Sequence, residues 1–170
     1  MKTIALAAGI AALMLTTIAA AQTAPRGAQP FPNPPVRSPY GTPITLEQAE
    51  AVMAAAKAEA RKRNVYGTVA IAIVEPSGEL VTYIKGTSAQ YAAYEFSMGK
   101  ARTSARYQRS TKLLADQLAT GSLQPLAFPG ATVAGAGGLP IVVGGRTIGA
   151  IGTTGGFDEE VAQAGLAALK

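Results

Sequence analysis

The chain has 170 residues, a formal net charge of +5 and no cysteine or histidine. Lacking cysteine, it forms no disulfide framework. Lacking histidine, it has neither the commonest metal ligand nor the commonest general base, which rules out Ser-His-Asp, Cys-His and histidine-zinc chemistry; no metal site is expected.

Lys2 is followed by an apolar run from Ile4 to Ile18, and Ala19-Ala20-Ala21 has the small residues of a signal-peptidase site. Residues 1–21 are therefore read as a signal peptide cleaved before Gln22. The run is short for a membrane span, so the mature chain is expected in the periplasm or outside the cell, with no stable membrane span after cleavage. Residues 22–43 hold seven prolines, and such a segment favours extended structure without a core. It is read as an N-terminal arm, lying across a neighbouring subunit or serving as a plain lead-in. Residues 44–170 form the folded domain.

Thr45-Leu46-Glu47-Gln48 has the pattern of a capping box, a hydroxyl at the cap and Gln three residues later. Leu46, Ala49, Val52, Met53, Ala56 and Ala60 then recur at helical spacing up to Asn64. "TVAIAIVE" (68–75) and "ELVTYIK" (79–85) flank Pro76-Ser77-Gly78 and predict a hairpin. Helices are predicted from about Gln90 to Gln108 and from Thr111 to Ala119, followed by a loop with Pro125, Phe128, Pro129 and Gly130. "LPIVV" and "RTIGAIGTT" are strands around a Gly144-Gly145 turn. Gly149 and Gly152, three apart, face opposite sides and leave room for close approach. Gly155-Gly156 breaks the strand before a final helix with Asp158 and Glu159 in its first turn. This order of elements, with two or three strands in the second group, predicts an α+β domain with an antiparallel sheet.

Three stretches carry a resemblance: "GGLPIVVGGRTIGAIGTTGGFDEEVAQAGLAAL", "VAIAIVEPSGEL" and "KARTSARYQRST". Together they resemble the GlcG/HbpS family of haem-associated proteins, from about Thr45 to Lys170. The resemblance implies a profilin-like fold, a five-stranded antiparallel sheet with helices packed on it, and a homo-oligomer. It also implies a small-molecule ligand, with haem or a related tetrapyrrole as the first candidate cofactor. Fold alone does not settle chemistry.

The second helix carries the candidate site. Tyr91, Tyr94, Met98 and Arg102 fall three and four residues apart, and Arg106 and Arg109 continue the line. Tyr and Met can be axial ligands of haem iron, and Arg can hold a propionate; the alternative is a core stripe with solvated arginines. The Phe128-Pro129-Gly130 loop is a candidate cover for the ligand's apolar face. Backbone N–H groups at Gly155 and Gly156, ahead of a helix, could bind a carboxylate or phosphate, unless Asp158 caps that terminus itself. Lys100 matches the family's central lysine: it either pairs with Glu95 or Asp158, or acts as a base or amine nucleophile. The second possibility gives an alternative function, an enzyme acting on a small organic acid, carbonyl or aromatic substrate through Lys100 or a Tyr. Ser97-Met98-Gly99-Lys100 is formally S-x-x-K, but the companion S-D-N and K-T-G elements of penicillin-binding enzymes are absent. The basic residues are scattered over several helices, so no nucleic-acid partner is expected.

Overall fold

The computed structural model describes residues 37–130 and 132–169. The expected signal peptide and most of the arm lie outside these residues.

Helix α1 (Leu46–Lys62) begins with the capping box: Gln48 N donates to Thr45 Oγ1 at 3.2 Å and Thr45 N donates to Gln48 Oε1 at 3.0 Å. Its buried face is Ala49, Val52, Met53, Ala56 and Ala60, while Leu46 at the first turn is exposed. Strands β1 (Ala70–Val74) and β2 (Leu80–Lys85) form the first hairpin. Helices α2 (Ala93–Tyr107) and α3 (Thr111–Ala119) follow, then a short 3₁₀ turn at Gln124–Ala127. Strands β3 (Gly138–Val143) and β4 (Arg146–Thr154) form the second hairpin. Gly144 and Gly145 both have positive φ, 55° and 73°, the backbone a two-residue turn between twisted strands requires. Helix α4 (Asp158–Leu166) ends the fold with a 3₁₀ turn, Ala167–Leu169.

The sheet is antiparallel in the order β2-β1-β4-β3, four strands where five were expected. The lane beside β4 beyond the end of β1 is filled by residues 39–44. Gly41 N donates to Thr147 O at 2.9 Å, Thr147 N to Pro39 O at 2.9 Å and Ile44 N to Ile148 O at 2.8 Å. Pro39 and Pro43 have no N–H, so this segment makes one isolated bridge, Tyr40 to Thr147, and no fifth ladder. Tyr40 Oη also donates to the Ala105 and Arg106 carbonyls at 3.0 and 3.1 Å, tying the segment to the last turn of α2.

Two cores separate three layers. Ile71, Ile73, Ile141, Ile148 and Ile151 pack on one face of the sheet under α1 and α4. Ala72, Val74 and Ala150 meet Met98, Ala101 and Ala105 of α2 on the other. A bulge at Ile148 lets it join Ile151 on the same face although the two are three residues apart. Gly149 and Gly152 take opposite faces: Gly149 abuts Ile44, and Gly152 abuts the backbone of α2. Among the described residues no helix is long and apolar enough to cross a membrane.

Candidate functional site

Helix α2 has two working faces. The sheet-facing row is Ala93, Ser97, Lys100, Ala101, Ser104 and Ala105, all buried. The small side chains of this row, Ser97 and Ala101 above all, let the helix axis come down onto Gly152. The other row, Tyr94, Met98, Arg102 and Arg106 at spacings of four, lines a cleft of about 550 Å³. The turn Ser77-Gly78-Glu79 of the first hairpin forms the facing wall, and Val133 closes one end. Arg102 Nε donates to Gly78 O at 3.1 Å, which fixes helix to hairpin. Val133 N donates to Thr103 Oγ1 at 3.0 Å, and Val133 crosses the helix at Gly99.

Tyr94 is half-exposed at the mouth, and its ring meets Tyr83 edge-on at 5.2 Å between centroids. The Tyr83 hydroxyl is buried without a partner among the described residues. Burial pushes its pKa up, and Glu95 and Tyr94 push it further in the same direction.

The structure thus brings Tyr94, Met98 and Arg102 together, and Arg106 with them. Met98 is only 1% exposed and forms the floor. Tyr91 is set apart: it precedes the first turn of α2, is 97% exposed, and lies under Lys85 Nζ at 5.4 Å. Phe128 stacks on Tyr107 with centroids 4.5 Å apart, and Tyr107 Oη donates to Pro129 O at 2.9 Å. That loop is spent on the end of α2, and Val133 stands over the cleft instead.

Lys100 is 6% exposed. Of its two expected partners the structure selects Asp158: Nζ donates to Asp158 Oδ2 at 2.7 Å and to Thr153 O at 2.8 Å. Asp158 Oδ1 accepts from Gly156 N at 2.9 Å, and Glu159 Oε2 accepts from Gly137 N at 2.8 Å. The chain's own acids therefore sit at the start of α4, and the Gly156 N–H is already bonded. Gly155 and Gly156 instead line a separate cavity of about 410 Å³ with Thr68, Ser88, Phe96 and Thr154.

Residues 44–169 match the protein family described as HbpS-like, haem degrading protein HbpS-like. The chain belongs to the HbpS-like family. Protein GlcG of Escherichia coli (strain K12) is 34% identical over 111 residues, 65% of this chain and 81% of GlcG. The crystal structure of HbpS superposes with a TM-score of 0.67 at 31% identity, covering 76% of this chain and 92% of HbpS. The crystal structure of a PduOC:haem complex superposes with a TM-score of 0.68 at 24% identity, covering 76% of this chain and 96% of the other, and shares the fold.

Within this HbpS-like domain the cleft offers a definite set of groups. Its wall carries a phenol, two carboxylates (Glu79 and Glu95) and two guanidiniums. Neither Arg102 nor Arg106 is in an ion pair among the described residues. Such a wall can hold a planar anion by apolar contact and charge-assisted bonds. The hairpin turn and Val133 are the parts that sequence reasoning missed. Pro76-Ser77-Gly78 is legible as a turn, but no local signal says that it stands beside α2.

Proposed function

We propose that this HbpS-like protein binds haem or a related tetrapyrrole in the cleft beside α2, and that it does so as an exported, periplasmic or secreted homo-oligomer. The observation that carries the reading is the row Tyr94, Arg102 and Arg106 on one wall of a cleft large enough for a small planar ligand. The family's haem-related description and the haem complex with the same fold support it.

The residues present fit the group. Arg102 and Arg106, one helical turn apart, would hold two carboxylates. Tyr94 would meet the metal, because tyrosinate is an established haem ligand type. The Met98 side chain forms the apolar floor, and Val133 shields one end from water. Bound haem would supply visible absorption and one-electron chemistry; the chain supplies orientation, charge neutralisation and partial exclusion of solvent. Lys100 acts from behind, holding the start of α4 through Asp158.

Titration of the purified protein with haemin should give a saturable Soret band. Arg102→Ala and Arg106→Ala should each weaken binding by about 1.5–3 kcal/mol, the range for a hydrogen bond to a charged group. A flat difference spectrum, or affinity unchanged in the Arg102→Ala/Arg106→Ala double variant, would reject the reading. Light scattering at micromolar concentration tests the assembly, and a monomer mass would exclude the oligomer.

A further inference from the structure

An iron ion at this site can choose only among the donors that the cleft presents. The whole sequence has no histidine and no cysteine. Met98 is the thioether in the wall, and at 1% exposure its side chain belongs to the buried cluster with Ala72, Val74 and Ala150. Lys100 points away, its ammonium held by Asp158 and Thr153. Guanidinium groups remain protonated and do not ligate metals. What is left at the mouth is oxygen: the half-exposed Tyr94 phenol, with the Glu79 and Glu95 carboxylates near it.

Anionic oxygen is a hard donor and stabilises the more highly charged metal, whereas imidazole and thioether serve both oxidation states. We infer that the cleft selects ferric over ferrous haem through Tyr94, so that reduction of the iron releases the ligand. This rests on the haem reading above and adds the oxidation state to it. On one-electron reduction by an external reductant, the Tyr94 phenolate would leave the metal and take a proton from solvent to become phenol. The arginines hold the carboxylates equally in both states, so discrimination is assigned to the oxygen donors and, among them, to Tyr94.

The test uses the full purified chain and four probes: haemin, haemin reduced with dithionite, gallium(III) protoporphyrin IX and zinc(II) protoporphyrin IX. Binding is read from absorbance or fluorescence and from the shift in melting temperature, with no turnover needed. The two trivalent porphyrins should bind alike. The reduced haem and the zinc porphyrin should bind at least about tenfold more weakly, and Tyr94→Phe should erase that difference while leaving the residual affinity. By linkage, tenfold discrimination lowers the potential of bound haem by about 59 mV relative to free haem, readable by spectroelectrochemistry. Equal affinity of the wild-type protein for both oxidation states would overturn the inference while leaving haem binding intact. Discrimination that survives in Tyr94→Phe would overturn the assignment to Tyr94. Failure of every porphyrin to bind would overturn the haem reading itself.

Discussion

Gly152 has the closest neighbours of any glycine among the described residues, and a single methyl group there tests how tightly α2 packs on β4. A Cβ added at Gly152 would lie 2.0 Å from Ser97 O, 2.5 Å from Ala101 N and 3.0 Å from Ala101 Cβ. Carbon–oxygen contacts normally stay beyond about 3.3 Å, so the helix would have to rise by about 1 Å. The obstructing atoms are mostly backbone, and no rotamer change relieves them. Lifting α2 would also loosen Met98, Ala101 and Ala105 from the sheet. Overpacking of this kind costs about 1–3 kcal/mol, and Gly152→Ala should fall at the upper end. For a domain of this size that is about 10 °C in melting temperature. Gly67→Ala is the control, because a Cβ there meets nothing within 4 Å. Calorimetry or urea denaturation should show a large loss for Gly152→Ala and little change for Gly67→Ala. A Gly152→Ala melting temperature within about 2 °C of the parent would refute the reasoning.

Removing either member of the Lys100–Asp158 pair should destabilise the fold. Lys100→Met or Asp158→Asn is expected to cost about 2 kcal/mol in urea denaturation, less than a fully buried pair because Asp158 retains 20% side-chain exposure. Glu59 has its pKa held down chiefly by the hydrogen bond from Arg63. Its contribution is therefore present above the ordinary glutamate range near pH 4.5 and is lost as pH falls through the lowered value. Carboxyl NMR titration should show Glu59 moving up toward the ordinary range in Arg63→Ala, with Lys62 still holding it down in part, and an unchanged titration would sink the assignment. If residues 1–21 are a signal peptide, intact-mass measurement of exported protein should start at Gln22, whereas a membrane-bound form retaining Met1 would disprove cleavage.

Local signals carried most of the fold. The capping box at Thr45 and Gln48, the Gly144-Gly145 turn and the two strands of the first hairpin depend on neighbours in sequence, and all are present. The start of α2 was harder to place, because Ala92 at its N-cap makes no side-chain bond and gives no start signal. Tyr91 consequently looked like part of the stripe when it lies ahead of the helix. Helical spacing placed Met98 and Arg102 on one line, but it does not say where that line dips into the core. The partner of Lys100 depended on how β4 and the Gly155-Gly156 break return past α2, a contact between residues far apart in sequence. The missing fifth strand has a similar origin: its lane is filled by a proline-bearing segment that cannot complete a ladder.

The division of α2 into two rows has a consequence for how ligand chemistry can vary on this fold. The sheet-facing row is constrained by close approach at Gly152 and by the Lys100–Asp158 pair, so changes there register as stability. In the cleft row Arg102 bonds to Gly78 of the hairpin and the Tyr94 ring meets Tyr83, while Arg102 and Arg106 are exposed. Tyr94→Phe removes a donor but keeps the ring against Tyr83, Arg106→Ala removes an exposed charge, and surface substitutions of this kind usually stay within about 0.5 kcal/mol in stability. Met98 is the exception, since it belongs to both rows: it floors the cleft and fills the core beneath it. Met98→Ala would lose packing and reshape the cleft together, so it cannot separate a ligand role from a structural one, whereas Tyr94→Phe and Arg106→Ala can. The informative substitutions are those whose effect on binding is large and whose effect on melting temperature is small, and the geometry confines them to the outer row of α2.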